Sequence, residues 1–329
     1  MNRMMMVTVA AAGLLAGCMC DKAACGKSTC CGDPLVGSWG LKLGYDSMSA
    51  GHMILSRDAD GKPQALVLWR WASPVAMENV VVDGCTFSFE HPWGFTVKGG
   101  LCGPKCLKAV AIKKDGLGET TVVGWKNPEV EPASTDDAKL GAPIDLLKDG
   151  LAGWSIMEKG AKNGWSVKDE NGVKVLSNKL GLKPDGSWAG GGANLMTKRA
   201  DFYDFNLEYD VRVPAKSNSG VYLRGRYECQ VIDSYGKPVD CHNMAAYYGR
   251  VTPTVSAEKK PGEWQHVSVT LYKRHLTVVL NGQKIIDNAP VIGITGGAID
   301  ADEFVPGPLY LQGDHSDADY KNMILRPAI

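Results

Sequence analysis

From residue 34 onward the chain alternates between apolar and polar positions. The runs "GSWGLKL", "HMILSR", "QALVLWRW", "NVVVDG", "TFSFE", "GFTVKGG", "KAVAIKK" and "TTVVGW" are separated by turn-forming stretches such as "DADGK" and "KKDGLG". Successive side chains of a strand point to opposite faces, so period-two runs of this length predict strands. Eight at this spacing predict a small antiparallel β-barrel over residues 34–128. Polar residues 129–142, "EVEPASTDDAKLGA", read as a linker. Alternation returns over 143–329 with longer strands. There Phe205, Leu207, Tyr209, Val211 and Val213 alternate with Asn206, Glu208, Asp210 and Arg212. "WQHVSVTLYKRHLTVVLNGQKII" reads as two strands around "YKRH", closed by an Asn281-Gly282 turn. No long 3.6-residue period stands out. The expectation is an all-β chain, its second half two sheets around one apolar core.

Composition agrees with this. The 329 residues are 44% hydrophobic, with 39 glycines and 17 prolines, which suits a turn-rich β protein. Thirty-six basic and thirty-six acidic residues give no net charge, and no basic stripe appears, so nucleic acid is not an expected partner.

Residues 1–17 read as a signal peptide, and "LLAGC" resembles the lipobox of bacterial lipoproteins. That resemblance implies lipidation of Cys18, attachment to the membrane and a place in the cell envelope, facing the periplasm or the cell surface. Residues 18–33 form a cysteine-rich tether. Ten cysteines in an exported chain read as disulfides or free thiols, since no spacing suits zinc. Cys102 and Cys106 flank a turn, "GPK". His52 and His91 are isolated and read as structural or surface residues.

The stretch "NSGVYLRGRYECQVID", 218–233, is unusually polar for two adjacent strands. With Gly225 as the turn, Val221, Leu223, Cys229 and Val231 fall on apolar rows. Arg224, Glu228 and Gln230 are expected on one shared polar face, with Tyr222 and Arg226 in the polar rows. Asp233 falls at the strand end, and Asn218 and Ser219 at its entry. "LYLQGDH" repeats the design, with Tyr310 and Gln312 outward and Asp314 and His315 at the strand end. Amides, arginine and tyrosines suit directional bonding to sugar hydroxyls and stacking on sugar rings.

Residues 143–329 resemble the 3-keto-disaccharide hydrolase domain family. The matching pieces include "GANLMTKRADFYDFNLEYDVRVP", "NSGVYLRGRYECQVID", "YYGRVTPT", "PGEWQHVSVTLYKRHLTVVLNGQKIID", "GITGGAIDADEFVPGPLYLQGDH" and "KNMILRPA", in order. "LVGSW" near residue 35 resembles the start of calycin-like barrels. The resemblance implies a concanavalin-A-like jelly-roll sandwich behind a small calycin-like barrel. It implies cleavage of glycosides whose sugar carries a ketone at carbon 3.

Such a ketone acidifies the proton on carbon 2, so removal of that proton can expel the carbon-1 substituent, after which water adds back. This route needs a base and a group to hold the enolate oxygen. Glu228 and His315 are the candidate bases. Arg224, or a divalent metal, is the candidate oxyanion holder. A metal could draw on Glu228, Asp233, Asp314 and His315. Asp233 would orient His315 or bind a hydroxyl. Asn218, Tyr222, Arg226, Gln230, Tyr248, Gln312 and Asp314 are the expected substrate contacts. Glu208 and Asp210 begin an E-x-D-x-x-E pattern, but Val213 ends it, which counts against a standard two-carboxylate glycosidase. A non-catalytic carbohydrate-binding module on the same sandwich is the alternative. The acids Asp300 to Glu303 read as a solvated loop, and Trp264 as core.

Overall fold

The computed structural model describes residues 33–114, 116 and 118–329. The signal peptide, Cys18 and the tether therefore lie outside the described residues, apart from Asp33.

Nine antiparallel strands follow first: β1 (Gly37–Leu43), β2 (Ala50–Arg57), β3 (Pro63–Trp69), β4 (Val75–Ala76), β5 (Glu78–Asp83), β6 (Thr86–His91), β7 (Phe95–Gly103), β8 (Cys106–Lys113) and β9 (Glu119–Lys126). They form one sheet in the order β4-β3-β2-β1-β9-β8-β7-β6-β5. Its two edge strands, β4 and β5, are separated in sequence by Met77 alone, so the sheet curls back on itself. Alternation fills the interior with Trp39, Leu41, Leu55, Val67, Phe89 and Leu107, all buried. A disulfide joins Cys102 to Cys106 across the β7–β8 turn.

Residues 129–142 are fastened to the sandwich. Thr135, in a short 3-10 turn, bonds Thr277 (2.6 Å), and Asn288 donates to the Ala133 carbonyl (2.8 Å).

The second half contributes β10 (Ile144–Asp145), β11 (Trp154–Ile156), β12 (Trp165–Glu170), β13 (Val173–Asn178), β14 (Leu195–Thr197), β15 (Phe205–Arg212), β16 (Asn218–Leu223), β17 (Tyr227–Ile232), β18 (Gln265–Tyr272), β19 (His275–Leu280), β20 (Gln283–Pro290), β21 (Tyr310–Leu311) and β22 (Ala318–Pro327). One sheet runs β12-β13-β22-β15-β18-β19-β20, with β10 beside β22, and the other runs β11-β14-β21-β16-β17. Every named pair is antiparallel. Leu207, Tyr209, Val269 and Leu325 of the larger sheet face Val221, Leu223, Cys229 and Leu311 of the smaller one across a single core. This is the two-sheet sandwich that the alternation predicted. Both expected hairpin turns form, with Lys273 and Arg274 (φ 46° and 61°) and Asn281 and Gly282 (φ 51° and 83°) in left-handed conformations.

The barrel and the sandwich share a core and a polar joint. Ala50 and Leu68 of the barrel are buried in the sandwich's apolar cluster. Beside them Glu303, fully buried, accepts from Asn127 Nδ2 of the barrel (2.8 Å) and from Gly293 N (3.0 Å). The Arg274 guanidinium lies 3.6 Å from it and His52 3.9 Å. Burial raises the Glu303 carboxyl's pKa, against the pull of Arg274 and Arg250. It holds His52 neutral, helped by the same two arginines. One expectation is corrected here: Glu303 belongs to a buried joint and not to a solvated loop. His52, read as structural or surface, is a structural member of that joint. Trp264 is also not core: it is half-buried between the Arg212 guanidinium (4.5 Å) and the Lys321 ammonium (4.2 Å).

Candidate active site

The outer face of the smaller sheet carries the site. Hairpin register sets Tyr222 opposite Glu228 and Gly220 opposite Gln230, while β21 sets Tyr310 beside Tyr222. Residues directly opposite share a face. Tyr222, Glu228, Gln230 and Tyr310 therefore point away from the sandwich core, with Gln312 following on. The Tyr222 and Tyr310 rings stack at 3.9 Å between centroids.

These side chains line a cavity of about 140 Å³. Asn218, Tyr248, Asp314 and His315 line it too, with Asn194, Gly296 and Gly297. Met48, Trp71 and Ala72 complete the wall from the barrel. Of the expected site residues, Asn218, Tyr222, Glu228, Gln230, Tyr248, Gln312, Asp314 and His315 are thus brought together.

Arg224, Arg226 and Asp233 are not. Arg224 sits in the hairpin turn at φ 54°, so alternation does not run through it. Its guanidinium donates to the carbonyls of Glu303 (2.6 Å) and Val305 (2.8 Å) and lies over the Tyr203 ring. Arg226 makes a two-pronged pair with Asp300 (3.0 and 2.6 Å). Both arginines brace the 300–305 loop. Asp233 accepts from Lys216 N (2.8 Å) at the far end of β17. Among the described residues no group of three or more His, Cys, Asp or Glu side chains is placed to hold a metal ion.

Glu228 is 4% exposed. Burial raises its pKa to about 8, and the nearby Asp314 charge adds to this against a lowering bond from Tyr222. Geometry agrees. The Tyr222 hydroxyl lies 2.9 Å from Glu228 Oε2 and 2.8 Å from the Gly296 carbonyl oxygen. Tyrosine has one proton to give, and a carbonyl can only accept. Both contacts are satisfied at once when Glu228 is protonated and donates to Tyr222.

His315 Nδ1 lies 2.5 Å from Asp314 Oδ1. This bond raises the imidazole's pKa. With Nδ1 tied to the carboxylate, Nε2 is the free nitrogen. The buried oxygens Asn218 Oδ1 and Gln312 Oε1 have no partner among the described residues. A buried, unpaired amide oxygen is costly, and a ligand hydroxyl would satisfy it. Gln230 Oε1 accepts from Val231 N (2.9 Å), which leaves its Nε2 as a donor.

The sequence reading missed Asn194, Gly296, Gly297 and the three barrel residues. Asn194 is held by Glu158 (2.8 Å) and accepts from Gly313 N (2.8 Å). Trp71 lies some 150 residues before the site hairpin, and no local pattern ties the two.

A sheet face of tyrosines and amides around an Asp–His pair and a protonated carboxyl is that of a carbohydrate-active protein. Residues 144–326 match the family model of the 3-keto-alpha-glucoside-1,2-lyase-like domain, and the chain belongs to that family. Among solved structures it is similar to two candidate glycosyl hydrolases from Parabacteroides distasonis. One is 24% identical (61% of this chain, 93% of that one, TM-score 0.42) and the other 19% identical (57% and 94%, TM-score 0.41). It is also similar to the carbohydrate-binding module CBM66 from Bacillus subtilis, at 13% identity (53% and 95%, TM-score 0.32). No curated protein matches the chain.

Proposed function

We propose that the protein cleaves glycosides whose sugar has been oxidised to a ketone at carbon 3. The observation that carries this is the pairing, in one small pocket, of an Asp-held histidine with a carboxyl kept protonated near neutral pH. His315 Nε2 takes the proton from carbon 2, and its electron pair forms the enolate. Gln230 Nε2 donates to the enolate oxygen. Collapse of the enolate breaks the carbon-1–oxygen bond. The departing oxygen takes the electron pair and a proton from Glu228. Water then adds at carbon 1 of the unsaturated ketone, a proton returns to carbon 2, and the sum is hydrolysis. Asn218 Oδ1 and Gln312 Oε1 accept from sugar hydroxyls.

In this reading Asp314, not Asp233, orients the histidine, and an amide takes the role expected of Arg224. The resemblance of the sequence before Cys18 to a lipobox supports an envelope-anchored enzyme. Incubation of the pure protein with 3-keto-trehalose and with trehalose tests it. Release of a free 3-keto-sugar from the oxidised compound alone is expected. Saturable binding with no product from either would leave a carbohydrate-binding module instead.

A further inference from the structure

We infer that the barrel supplies the leaving-group subsite, with the Trp71 indole as a platform for a ring attached at carbon 1. This rests on the reading of the pocket given above. The cavity, at about 140 Å³, is well below the roughly 300–1,000 Å³ of sites that enclose drug-sized ligands. It has room for one sugar ring. The second half of a disaccharide must lie at the mouth, and of the barrel residues that line the cavity, Met48, Trp71 and Ala72, the latter two are exposed.

A single half-exposed tryptophan is ordinarily unremarkable surface. Trp71, 44% exposed, differs in how it is held. Its neighbours Arg70 and Ala72 both adopt left-handed backbone conformations (φ 67° and 59°). Such strain in non-glycine residues persists where the surroundings fix it. Here the sandwich fixes it. Gly297 N donates to Arg70 O (2.8 Å), and Ser73 Oγ bonds His242 Nε2 (2.7 Å). A Cβ on Gly296 would overlap the Ala72 backbone, so the loop fits only against a glycine. The barrel holds it from behind. Arg70 donates to the carbonyls of Met48 (2.9 Å) and Ser47 (3.1 Å), with its guanidinium 4.1 Å from the Tyr45 ring and 5.2 Å from the Trp71 ring. Two barrel loops, 44–49 and 70–74, thus arrive at the pocket as one braced unit. They set an indole at its edge, where a flat ring can stack.

The leaving group that this fits is a ring with an apolar face, either a second pyranose or an aryl group. The test compares Trp71→Ala, Trp71→Phe and wild type on three 3-keto-glucosides: the disaccharide 3-keto-trehalose, an aryl glycoside and the methyl glycoside. Both kcat/KM and calorimetric affinity are measured. The expected result is a ring-over-methyl preference in the wild type that falls about tenfold in Trp71→Ala, as loss of one stacking contact would give, and is largely kept in Trp71→Phe. Loss confined to the disaccharide or to the aryl compound would say which ring is the natural one. An equal loss on all three compounds, leaving the preference unchanged, would overturn the subsite. If no compound is turned over, the catalytic reading fails, and the subsite is judged on affinity alone. Ring compounds must then bind more tightly than the methyl glycoside to wild type and lose that margin in Trp71→Ala. Absence of binding overturns both.

Discussion

Glu228 Oε1 occupies the space that a side chain on Gly220 would need. The two residues lie on neighbouring strands, two register positions apart and so on the same face, and a Cβ at Gly220 would collide with the carboxyl. The bare backbone of β16 is therefore what lets a glutamate lie flat against the sheet, with its other oxygen on Tyr222. Gly220→Ala should push the carboxyl out of place. A loss of stability of about 1–3 kcal/mol, the usual cost of overpacking, is expected together with a larger loss of turnover. Thermal melting and kcat on a 3-keto-glycoside, measured on the same preparation, check this.

Glu228→Gln removes the transferable proton but keeps a group of the same shape that can donate to Tyr222. The fold should survive, while kcat falls about 10²–10⁴-fold, the range that general acid–base groups contribute. Circular dichroism and kcat measure the two halves of that statement.

The raised pKa of Glu228 also has a sign in stability. Below the ordinary glutamate value, 4.5, the group is protonated in both folded and unfolded chains. Between there and about 8 the unfolded chain releases a proton that the folded protein keeps. The stability tied to this group is thus fully present below 4.5 and is lost as pH rises through about 8. The urea midpoint of the wild type should fall relative to that of Glu228→Gln across this window. Turnover should fall above about pH 8 as the acid is lost. On the acid side it should fall as His315, whose pKa Asp314 raises, becomes protonated.

Glu303 ties the barrel to the sandwich. Glu303→Gln removes the carboxylate and leaves Arg274, 3.6 Å away, as a buried cation without its partner. Breaking a buried pair in this way costs about 3–5 kcal/mol. Urea unfolding should show this loss, and turnover on 3-keto-trehalose should drop as well, because the barrel wall of the pocket depends on the same joint.

Alternation alone placed five of the side chains that line the pocket on one face. Tyr222, Glu228 and Gln230, and then Tyr310 and Gln312, were legible because a strand's period carries every second side chain to one face. The same rule failed at Arg224 and Arg226, where the chain leaves the strand for a left-handed turn and parity no longer fixes direction. The buried position of Glu303 was not legible either. Its partners Asn127, His52 and Arg274 come from three separate stretches, and only the packing of barrel against sandwich brings them together. Trp71 shares that cause. The barrel's contribution to the pocket exists in no local pattern of either half.

The most direct test of the account is the fate of the hydrogen on carbon 2. A 3-keto-disaccharide deuterated at that carbon is cleaved by the protein in ordinary water, and the released 3-keto-sugar is analysed by mass spectrometry. Proton abstraction by His315 predicts loss of the label to solvent in step with cleavage, and slowing of both in His315→Ala. Cleavage with the deuterium fully retained, and no slower than that of the undeuterated sugar, would contradict the account, because the bond would then have broken without carbon 2 taking part.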